Sequence, residues 1–355
     1  MKDVSMSQTM EIKGRKIGKG HSVFIIAEIS ANHNQKYEEA VALVTTAKEC
    51  GADAVKLQTY TPDTITMKSD DQCFRIKSDT NWDGRTLYEL YTEAYTPWDW
   101  QPRLKDLADE LGIIFFSSAF DTTSVEFLEG IGIPAYKLAS FEIVDLPLIE
   151  FISKRGKPII ISTGLASLEE IDEAVQAAKR GGCQEIALLK CTSAYPASPN
   201  EMNLRAIPFM SDRYNIPIGI SDHTLGATIS VAAVALGANI VEKHFTLSRA
   251  VPGPDSQFSV EPAEFQAMVN DIRKVEAALG DASFEIGESE KKNMIFRRSL
   301  FVVMDMRKGE RFTEENVRSI RPNFGLQPKF LKDVLGRRAK KDVSKGTPLS
   351  WELIE

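Results

Sequence analysis

The chain has 355 residues, of which 43% are hydrophobic and 26% charged, and its formal net charge is −7. This composition is typical of a soluble globular protein with one large domain and room for a small second one. Acidic residues outnumber basic ones and the two are interspersed, so the sequence has no basic surface of the kind that binds nucleic acid. An anionic ligand would therefore need locally placed lysines or arginines.

The cysteines and the amino-terminal segment indicate a cytoplasmic protein. Cys50, Cys73, Cys183 and Cys191 form no CxxC pair, as expected where cysteines stay reduced and serve as small core residues. The first ten residues lack the apolar core of a signal peptide, and no apolar run reaches the roughly 20 residues that span a membrane. We therefore expect a protein that is neither secreted nor embedded in a membrane.

Eight short apolar segments alternate with amphipathic ones between residues 22 and 283. Each apolar segment starts apolar on both faces, as strands of a buried parallel sheet do. The predicted strands are 22–30, 54–60, 113–119, 135–140, 158–164, 185–193, 216–223 and 239–246. The intervening segments have apolar residues three to four positions apart, which predicts helices. Eight strand–helix units of this total length predict an α/β fold, the (β/α)8 TIM barrel.

An open, doubly wound sheet is the alternative fold. That fold would place a glycine fingerprint directly after the first strand. The sequence there is AEISANHNQ, which contains no glycine. We therefore favour a barrel at residues 22–283, preceded by a tail or hairpin at residues 1–21 that closes the barrel bottom.

Two regions depart from the repeating pattern. Residues 61–98, between the second strand and its helix, form a far longer connection than usual. Their aromatic residues predict an ordered loop over the site: Phe74, Trp82, Tyr88, Tyr91, Tyr95 and Trp98. After a polar linker at 284–295, short strands at 296–355 predict a compact module near the size limit for an independent core. We expect this module to dock on its own barrel or on a partner subunit.

Polar residues end nearly every predicted strand. In a (β/α)8 barrel the carboxyl ends of the strands carry the active site, so these residues predict an enzyme. They are Glu28, Asn32 and His33; Lys56 and Gln58; Ser117 and Ser118; Lys137 and Ser140; Ser162 and Thr163; Lys190, Ser193 and Tyr195; Ser221, Asp222 and His223; and Glu242, Lys243 and His244.

His223 and His244 end neighbouring strands and are candidate metal ligands. Adjacent strands lie about 5 Å apart, so the two imidazoles can meet at one divalent ion. Two histidines leave coordination positions open for substrate and water. The alternative is that each is a hydrogen-bonded core histidine. His33 could instead fix the loop after the first strand.

Lys56 and Lys137 are candidate binders of an anionic substrate. Together with the hydroxyl groups of neighbouring strands, two ammonium groups form a pocket for a carboxylate and a phosphate. The alternative is that each lysine is paired with a carboxylate such as Glu28 or Glu242, because a buried ammonium requires an anion. These two glutamates also suit the binding of sugar hydroxyls or general-base catalysis. A turn at Gly253–Pro254–Asp255 presents Asp255 towards the same mouth.

Taken together, these strings resemble the sialic acid synthase family, and within it the branch that makes pseudaminic acid. The resemblance spans about residues 25–355, and GISDHT with EKHF is highly specific for the family. The strings are AEISANHNQ, VKLQTYTPDTIT, WDGRTLYELYTEAYTPW, FFSSAFD, YKLASFEIVDLPLIE, IISTG, LLKCTSAYP, GISDHT, EKHFTL, GPDSQFS and the tail FRRSLFVV with SIRP.

The resemblance implies an activity and an assembly. The activity is the condensation of phosphoenolpyruvate with an N-acetylated aldose, here 2,4-diacetamido-2,4,6-trideoxy-L-altrose, with release of phosphate. The resemblance also implies that residues 296–355 form an antifreeze-like (SAF, β-clip) domain. In the implied domain-swapped homodimer, this domain covers the barrel of the partner.

The resemblance further implies a role for individual residues. Mn²⁺ or Mg²⁺ would bind His223 and His244, and the catalytic groups would be Glu28, Lys56, Lys137 and His244. The residues implied to contact phosphoenolpyruvate are Lys56, Ser118, Lys137, Ser140, Ser162, Ser193 and Ser221. Those implied to contact the sugar are Glu28, Gln58, Tyr195, Glu242, Asp255 and, from the other subunit, Arg321. The chain departs from the family pattern at Ser193, commonly asparagine, and around Arg321, where it reads RPNFGL.

Two other functions are compatible with parts of the pattern. A synthase of N-acetylneuraminate or legionaminate would use N-acetylmannosamine or 2,4-diacetamido-2,4,6-trideoxymannose. A non-catalytic carbohydrate-binding or ice-binding protein is suggested by the antifreeze-like tail. That last function predicts a degenerate barrel mouth, whereas the histidine pair and both lysines are present.

Overall fold

The computed structural model describes residues 9–77 and 82–355. Two compact units make up the chain, Met1–Gly280 and Asp281–Glu355. In the first unit the described residues form a closed barrel of eight parallel strands, which confirms the predicted fold class. Among the described helices, none is long and apolar enough to cross a membrane.

The strands of the barrel follow one another around the ring in chain order, and the last pairs with the first. They are β3 Phe24–Glu28, β4 Ala54–Thr59, β5 Ile114–Ala119, β6 Tyr136–Leu138, β7 Ile159–Ser162, β8 Ile186–Cys191, β9 Ile218–Asp222 and β10 Ile240–His244. Each lies within a segment predicted from the sequence. The polar residues that follow the strands therefore meet at one end of the barrel.

Helices surround the barrel and lie in the connections between the strands. They are α1 Tyr37–Glu49, α2 Pro62–Ile65, α3 Leu87–Ala94, α4 Gln101–Leu111, α5 Thr122–Gly130, α6 Leu146–Ser153, α7 Leu168–Arg180, α8 Ala206–Tyr214, α9 Thr228–Ala235 and α10 Pro262–Leu279. α7 shows why these segments are helical. Ser167 and Glu170 cap its first turn reciprocally, and Lys179 and Arg180 lie in its last turn, where cations are favoured.

Side chains alternate between the barrel interior and the surrounding helices with the period of two that strands impose. Near the amino ends the inward positions are apolar and form one cluster: Phe24, Ile26, Ala54, Phe116, Ala135, Ile160, Ala187, Leu189 and Ile240. The next inward positions on the same strands are polar and include Glu28, Lys56, Lys137 and Glu242. The interior is therefore apolar at one end and charged at the other.

An amino-terminal hairpin completes the apolar end of the barrel. It pairs β1 Thr9–Ile12 with β2 Arg15–Gly18, and the turn uses Lys13 and Gly14, both with positive φ. Met10, Ile12 and Ile17 are buried against the apolar interior cluster. The hairpin therefore separates that cluster from water.

The long connection after β4 forms a lid, defined here as residues 61–77 and 82–98. Residues 78–81 of the predicted loop lie outside the described part. An antiparallel bridge joins Arg75 to Thr86, and Thr86 caps α3 together with Glu89. The lid packs on the barrel through Tyr91, whose ring lies 5.4 Å from that of Tyr60.

The second unit contains a short antiparallel pair, β11 Ser299–Val302 and β12 Val317–Ile320. Its core includes Leu300, Phe312 and Leu349. Two short helices accompany the pair, α11 Glu288–Lys291 and α12 Leu331–Val334. The predicted linker at 284–295 thus contains helix α11, and the carboxyl-terminal segment pairs through isolated bridges, as Phe301 does with Pro348.

The hairpin is expected to contribute strongly to the stability of the barrel. Ile12 is completely buried, so Ile12→Ala should lower the free energy of unfolding by about 2 to 5 kcal/mol. Urea unfolding followed by circular dichroism measures this change. The matched control is Lys16→Ala on the exposed face of the same hairpin. Equal stabilities of the two variants would contradict a sealing role for Ile12.

Candidate active site

A polar inner chamber lies at the carboxyl ends of the barrel strands. It brings together most of the residues predicted from the sequence. The chamber is lined by Glu28, Lys56, Gln58, Ser118, Lys137, Ala139, Ser140, Ser162, Cys191, Tyr195, Ser221, His223, Glu242 and His244. These side chains come from all eight strands or the residues directly after them, so the closure of the barrel creates the site.

Two buried lysines and two buried glutamates form the charged centre of the chamber. Lys56 Nζ lies 2.6 Å from Glu28 Oε2 and 3.7 Å from Glu242 Oε1, and Lys137 Nζ lies 3.6 Å from the same Glu242 oxygen. All four side chains are at most 4% exposed. The carboxylate partner that the sequence left open for Lys56 is therefore Glu28. Because each charge is compensated, the cluster tolerates its removal from water.

Serine hydroxyls accept hydrogen bonds from both lysines. Lys56 donates to Ser118 Oγ at 3.0 Å and Lys137 to Ser162 Oγ at 2.8 Å. Burial raises the pKa of Glu28 to about 7, although Lys56 opposes the rise, and burial lowers the pKa of Lys137. A small anion entering the chamber would thus meet ammonium and hydroxyl groups already held in position.

The two predicted metal ligands lie side by side, with ring centroids 5.3 Å apart. His223 Nδ1 donates to the Thr192 carbonyl at 2.9 Å, which leaves the lone pair on Nε2. His244 Nδ1 is buried and has no hydrogen-bond partner among the described residues. Burial, reinforced by the charge of His223, holds the pKa of His244 well below its usual range, so that imidazole is neutral.

The residues present fit a divalent ion bound through two histidines. Oε2 of Glu242, which precedes His244 by two residues and lines the same chamber, is also buried without a hydrogen-bond partner among the described residues. Burial opposes the charge on His223, but Cys191, the Thr192 carbonyl and Glu242 together outweigh burial and raise the pKa of this histidine, so a proton would compete with a metal there. Within residues 9–77 and 82–355, no group of three or more His, Cys, Asp or Glu side chains is arranged to hold a metal. The remaining ligands would therefore be substrate and water.

A larger outer cavity of about 470 Å³ adjoins the inner chamber. The two share Gln58, Ala139, Tyr195 and His244. The further lining residues of the outer cavity are Ser30, Tyr60, Ile65, Ile76, Trp82, Leu87, Leu90, Tyr91, Ala94, Phe120, Phe141, Glu142, Pro254 and Asp255. The barrel strands and the loops after them supply its polar groups together with several apolar ones, whereas the lid contributes mostly apolar side chains.

The polar side of the outer cavity contains three residues predicted to contact a sugar. Gln58 donates to Glu28 Oε1 at 3.0 Å and to Ser30 Oγ at 2.9 Å, and Ser30 in turn donates to Asp255. Tyr195 stands between the cavities, with its ring 4.4 Å from that of His223. These connected groups can orient a polyhydroxylated ligand at the entrance to the inner chamber.

For three of the predicted residues the structure shows other contacts. Ser193 does not line either cavity, although its Oγ lies 3.8 Å from Cys191 Sγ. Arg321 belongs to the second unit, where its guanidinium lies 5.9 Å from the ring of Phe296. His33 is bonded to Thr96 Oγ1 at 3.0 Å, as expected of a histidine that fixes the loop after the first barrel strand.

Some polar residues at strand ends point away from the chamber, which corrects the expectation that all of them converge. Lys243 and Asp222 are completely buried and form an ion pair of 2.9 Å with each other. Both occupy outward positions of their strands, one residue from an inward-facing neighbour. Ser117 likewise contacts Thr59, at 2.6 Å, rather than the chamber.

Two residues of the site were missed by the sequence analysis. Cys191 was assigned to the core, yet it lines the chamber with its sulfur 3.9 Å from His223 Nδ1. It lies two residues after the inward-facing Leu189 on the same strand. The alternation of side chains along a strand could therefore have indicated that Cys191 faces the interior. Glu142 lines the outer cavity, its Oε2 has no hydrogen-bond partner among the described residues, and burial raises its pKa to about 7.

The barrel has buried cations, a neutral imidazole and two carboxyl groups with pKa values near 7 at the ends of its strands. This combination is typical of an enzyme that acts on an anionic substrate. A family model places the chain more narrowly. The NeuB family model matches residues 43–284, and the SAF domain model matches residues 297–355. The chain therefore belongs to the NeuB family, and the protein is a transferase with a carboxyl-terminal SAF domain.

Relatives in two bacterial genera match nearly the whole chain. A pseudaminic acid synthase of Campylobacter jejuni is 46% identical over 92% of this chain and 95% of its own length. A pseudaminic acid synthase of Helicobacter pylori is 44% identical over 93% of this chain and 97% of its own. Among solved structures, the N-acetylneuraminic acid synthetase of Leptospira borgpetersenii in complex with citrate has a TM-score of 0.72 at 32% identity. It covers 81% of this chain and 96% of its own.

The buried carboxyl group of Glu142 should make stability depend on pH. Its pKa rises from 4.5 to about 7 on folding, so the unfolded chain ionises first and the folded state loses stability as the pH increases between these values. Glu142→Gln removes this loss. Between pH 5 and 8 the variant should gain about 2 kcal/mol over the native protein, measured by urea unfolding.

The exposed helix residue Glu126 provides the control for this measurement. Glu126→Gln should leave the pH dependence of unfolding as it is in the native protein. An identical pH dependence for Glu142→Gln would show that the Glu142 carboxyl group ionises normally in the folded state.

Proposed function

We propose that the protein condenses phosphoenolpyruvate with 2,4-diacetamido-2,4,6-trideoxy-L-altrose and water to give pseudaminic acid and phosphate. The observation that carries the proposal is the pair of buried ammonium groups of Lys56 and Lys137, which lie in a small chamber next to a larger cavity with an apolar wall. The smaller, highly charged reactant suits the first space and the sugar suits the second. The named relatives in Campylobacter jejuni and Helicobacter pylori support this reaction.

The inner chamber provides the groups that phosphoenolpyruvate requires. Lys56 and Lys137 would neutralise its carboxylate and phosphate, and the hydroxyl groups around them would donate hydrogen bonds. Those hydroxyl groups belong to Ser118, Ser140, Ser162 and Ser221, with Ser193 beside them. As the anion binds, each lysine would exchange a glutamate oxygen for a substrate oxygen. Glu28, whose pKa lies near 7, can take up a proton when Lys56 turns to the substrate, which limits the build-up of negative charge.

The acceptor sugar would extend from the inner chamber into the outer cavity. Glu28, Gln58, Tyr195, Glu242 and Asp255 offer acceptors and donors for its hydroxyl and amide groups. Tyr195 and Gln58 line both cavities, so they can hold the sugar with its aldehyde carbon facing the enol of phosphoenolpyruvate. Holding two small reactants in this way supplies a large part of the rate enhancement.

In the reaction, C3 of phosphoenolpyruvate forms a bond to the aldehyde carbon, and positive charge develops at C2. A water molecule then adds to C2, and the former aldehyde oxygen takes up a proton to become a hydroxyl group. The tetrahedral intermediate breaks its C2–O bond to phosphate, which leaves with the second proton, and C2 becomes the keto carbon. Glu28, which lines the inner chamber and whose pKa lies near 7, would take the proton from that water. Mn²⁺ or Mg²⁺ on His223 and His244 would supply a Lewis acid for the aldehyde oxygen.

We also propose that the enzyme works in the cytoplasm as a domain-swapped homodimer. Arg321 directly follows β12 in the SAF domain. Its guanidinium would reach the barrel of the partner subunit and add a positive charge near the anionic reactants. A synthase of N-acetylneuraminate is the second candidate, favoured by the likeness to the Leptospira enzyme at the lower identity of 32%.

Phosphate release should require the correct sugar and a divalent ion. We expect the trideoxy-altrose to release phosphate from phosphoenolpyruvate faster than N-acetylmannosamine or the corresponding trideoxymannose. A chelator should abolish the release and added Mn²⁺ should restore it, because two histidines alone leave the aldehyde poorly polarised. A colorimetric phosphate assay measures all arms. Turnover with N-acetylmannosamine alone would refute the proposed acceptor.

Lys137 should be essential for the reaction. Lys137→Met removes a charge that faces the reacting anion, so kcat/KM should fall by about 100- to 1,000-fold. Lys154→Met, at an exposed position after α6, is the matched control and should retain full activity. Thermal unfolding of both variants separates loss of catalysis from loss of fold. Near-native activity of Lys137→Met would argue against its role in binding the anion.

A further inference from the structure

We propose that an aliphatic wall in the lid selects an acceptor sugar whose carbon farthest from the aldehyde is a methyl group. The lid wall consists of Ile65, Ile76, Leu87 and Leu90, which all line the outer cavity. The inference rests on the proposed function and names the residues that set its specificity. It assigns a role in recognition to side chains that carry no charge and no hydrogen-bonding group.

The position of the wall follows from where the reaction must occur. The aldehyde has to meet the enol of phosphoenolpyruvate among the charged groups of the inner chamber. Gln58, Tyr195 and His244 line both spaces, so the sugar carbons remote from the aldehyde must continue into the outer cavity. A volume of about 470 Å³ lies within the usual range for pockets that enclose small ligands.

The two sides of the outer cavity differ in what they can bind. The barrel side has polar groups at Ser30, Gln58 and Asp255, which already bond to one another or to Glu28. Although the lid also contributes the aromatic Trp82 and Tyr91 to the cavity, the lid wall has only alkyl groups. A hydroxyl placed against it would lose its water without gaining a partner, whereas a methyl group there would gain from being buried.

The lid holds this wall in place through its own hydrogen bonds. The backbone N–H of Ile76 donates to the Arg85 carbonyl at 2.9 Å, and that of Gly84 donates to the Ile76 carbonyl at 3.1 Å. Trp82 Nε1 donates to the Pro254 carbonyl at 3.3 Å, which ties the lid to the loop after β10. Because the wall is formed before a sugar binds, little conformational entropy is lost on binding, and the full difference between the two sugars contributes to selectivity.

The expected selectivity is moderate, because an apolar pocket rejects an added hydroxyl by only about 10- to 100-fold. The wall distinguishes 6-deoxy sugars from 6-hydroxy sugars. It does not by itself distinguish the altrose from the mannose configuration, since both trideoxy acceptors end in a methyl group. The configuration of the sugar carbons would instead be recognised by the polar groups of Ser30, Gln58 and Asp255.

The test compares two sugars that differ by one oxygen atom, using the full-length enzyme. They are 2,4-diacetamido-2,4,6-trideoxy-L-altrose and its 6-hydroxy counterpart, each with phosphoenolpyruvate and Mn²⁺. We expect the native enzyme to favour the 6-deoxy sugar by about 10- to 100-fold in kcat/KM. In the variant Ile76→Thr with Leu87→Asn this preference should fall roughly tenfold, mainly through a higher KM for the 6-deoxy sugar.

A matched variant, Ile76→Val with Leu87→Met, keeps the wall apolar and should keep the preference. It separates polarity from packing, and a comparable melting temperature shows that either variant is folded. Equal use of the two sugars by the native enzyme would overturn the inference and leave the proposed synthase activity standing. An unchanged preference in the polar variant would overturn it as well. Condensation of neither sugar would instead overturn the proposed function, and the inference with it.

Discussion

Charge compensation inside the barrel is the constraint on which the site depends. Lys56, Lys137, Glu28 and Glu242 are nearly inaccessible to water, and none of them would remain ionised there alone. Closure of the barrel brings the four together from the first, second, fourth and eighth barrel strands. The same cluster prepares the protein for an anionic ligand, because a phosphate or carboxylate can take over the ammonium groups from the glutamates. Stability and ligand binding therefore draw on one set of interactions.

The fold was largely predictable because its signals are local. Short strands that are apolar at the start and polar at the end mark a parallel barrel, and the sequence shows this pattern eight times. Inward and outward residues alternate along a strand, however, so two polar residues that are adjacent in sequence cannot both face the chamber. The sequence analysis placed Asp222 and Lys243 at the mouth with their neighbours, which was wrong, because the structure pairs them outside the chamber. Cys191 was missed for the same reason. It was assigned to the core as an apolar residue, although its position two residues after Leu189 makes it face the chamber.

The outer cavity was harder to foresee because it depends on contacts between distant segments. Ile65, Phe120 and Pro254 belong to three separate connections, and their proximity follows from the packing of the lid. The sequence indicated only that the lid would be ordered and aromatic. Glu142 illustrates the same limit. Its raised pKa results from burial by neighbours far apart in the chain, and a glutamate after a strand has no local mark of such an environment.

The amino-terminal hairpin has a consequence for the kinetics of the enzyme. Met10, Ile12 and Ile17 pack on the apolar end of the barrel interior, so reactants would enter and leave through the opposite end. The reactant in the inner chamber then lies behind the one in the outer cavity. Under the proposed function, phosphoenolpyruvate binds first and the sugar second. The packed interior and the hairpin that covers it thus leave a single entrance, and a single entrance in line with two spaces fixes the order of binding.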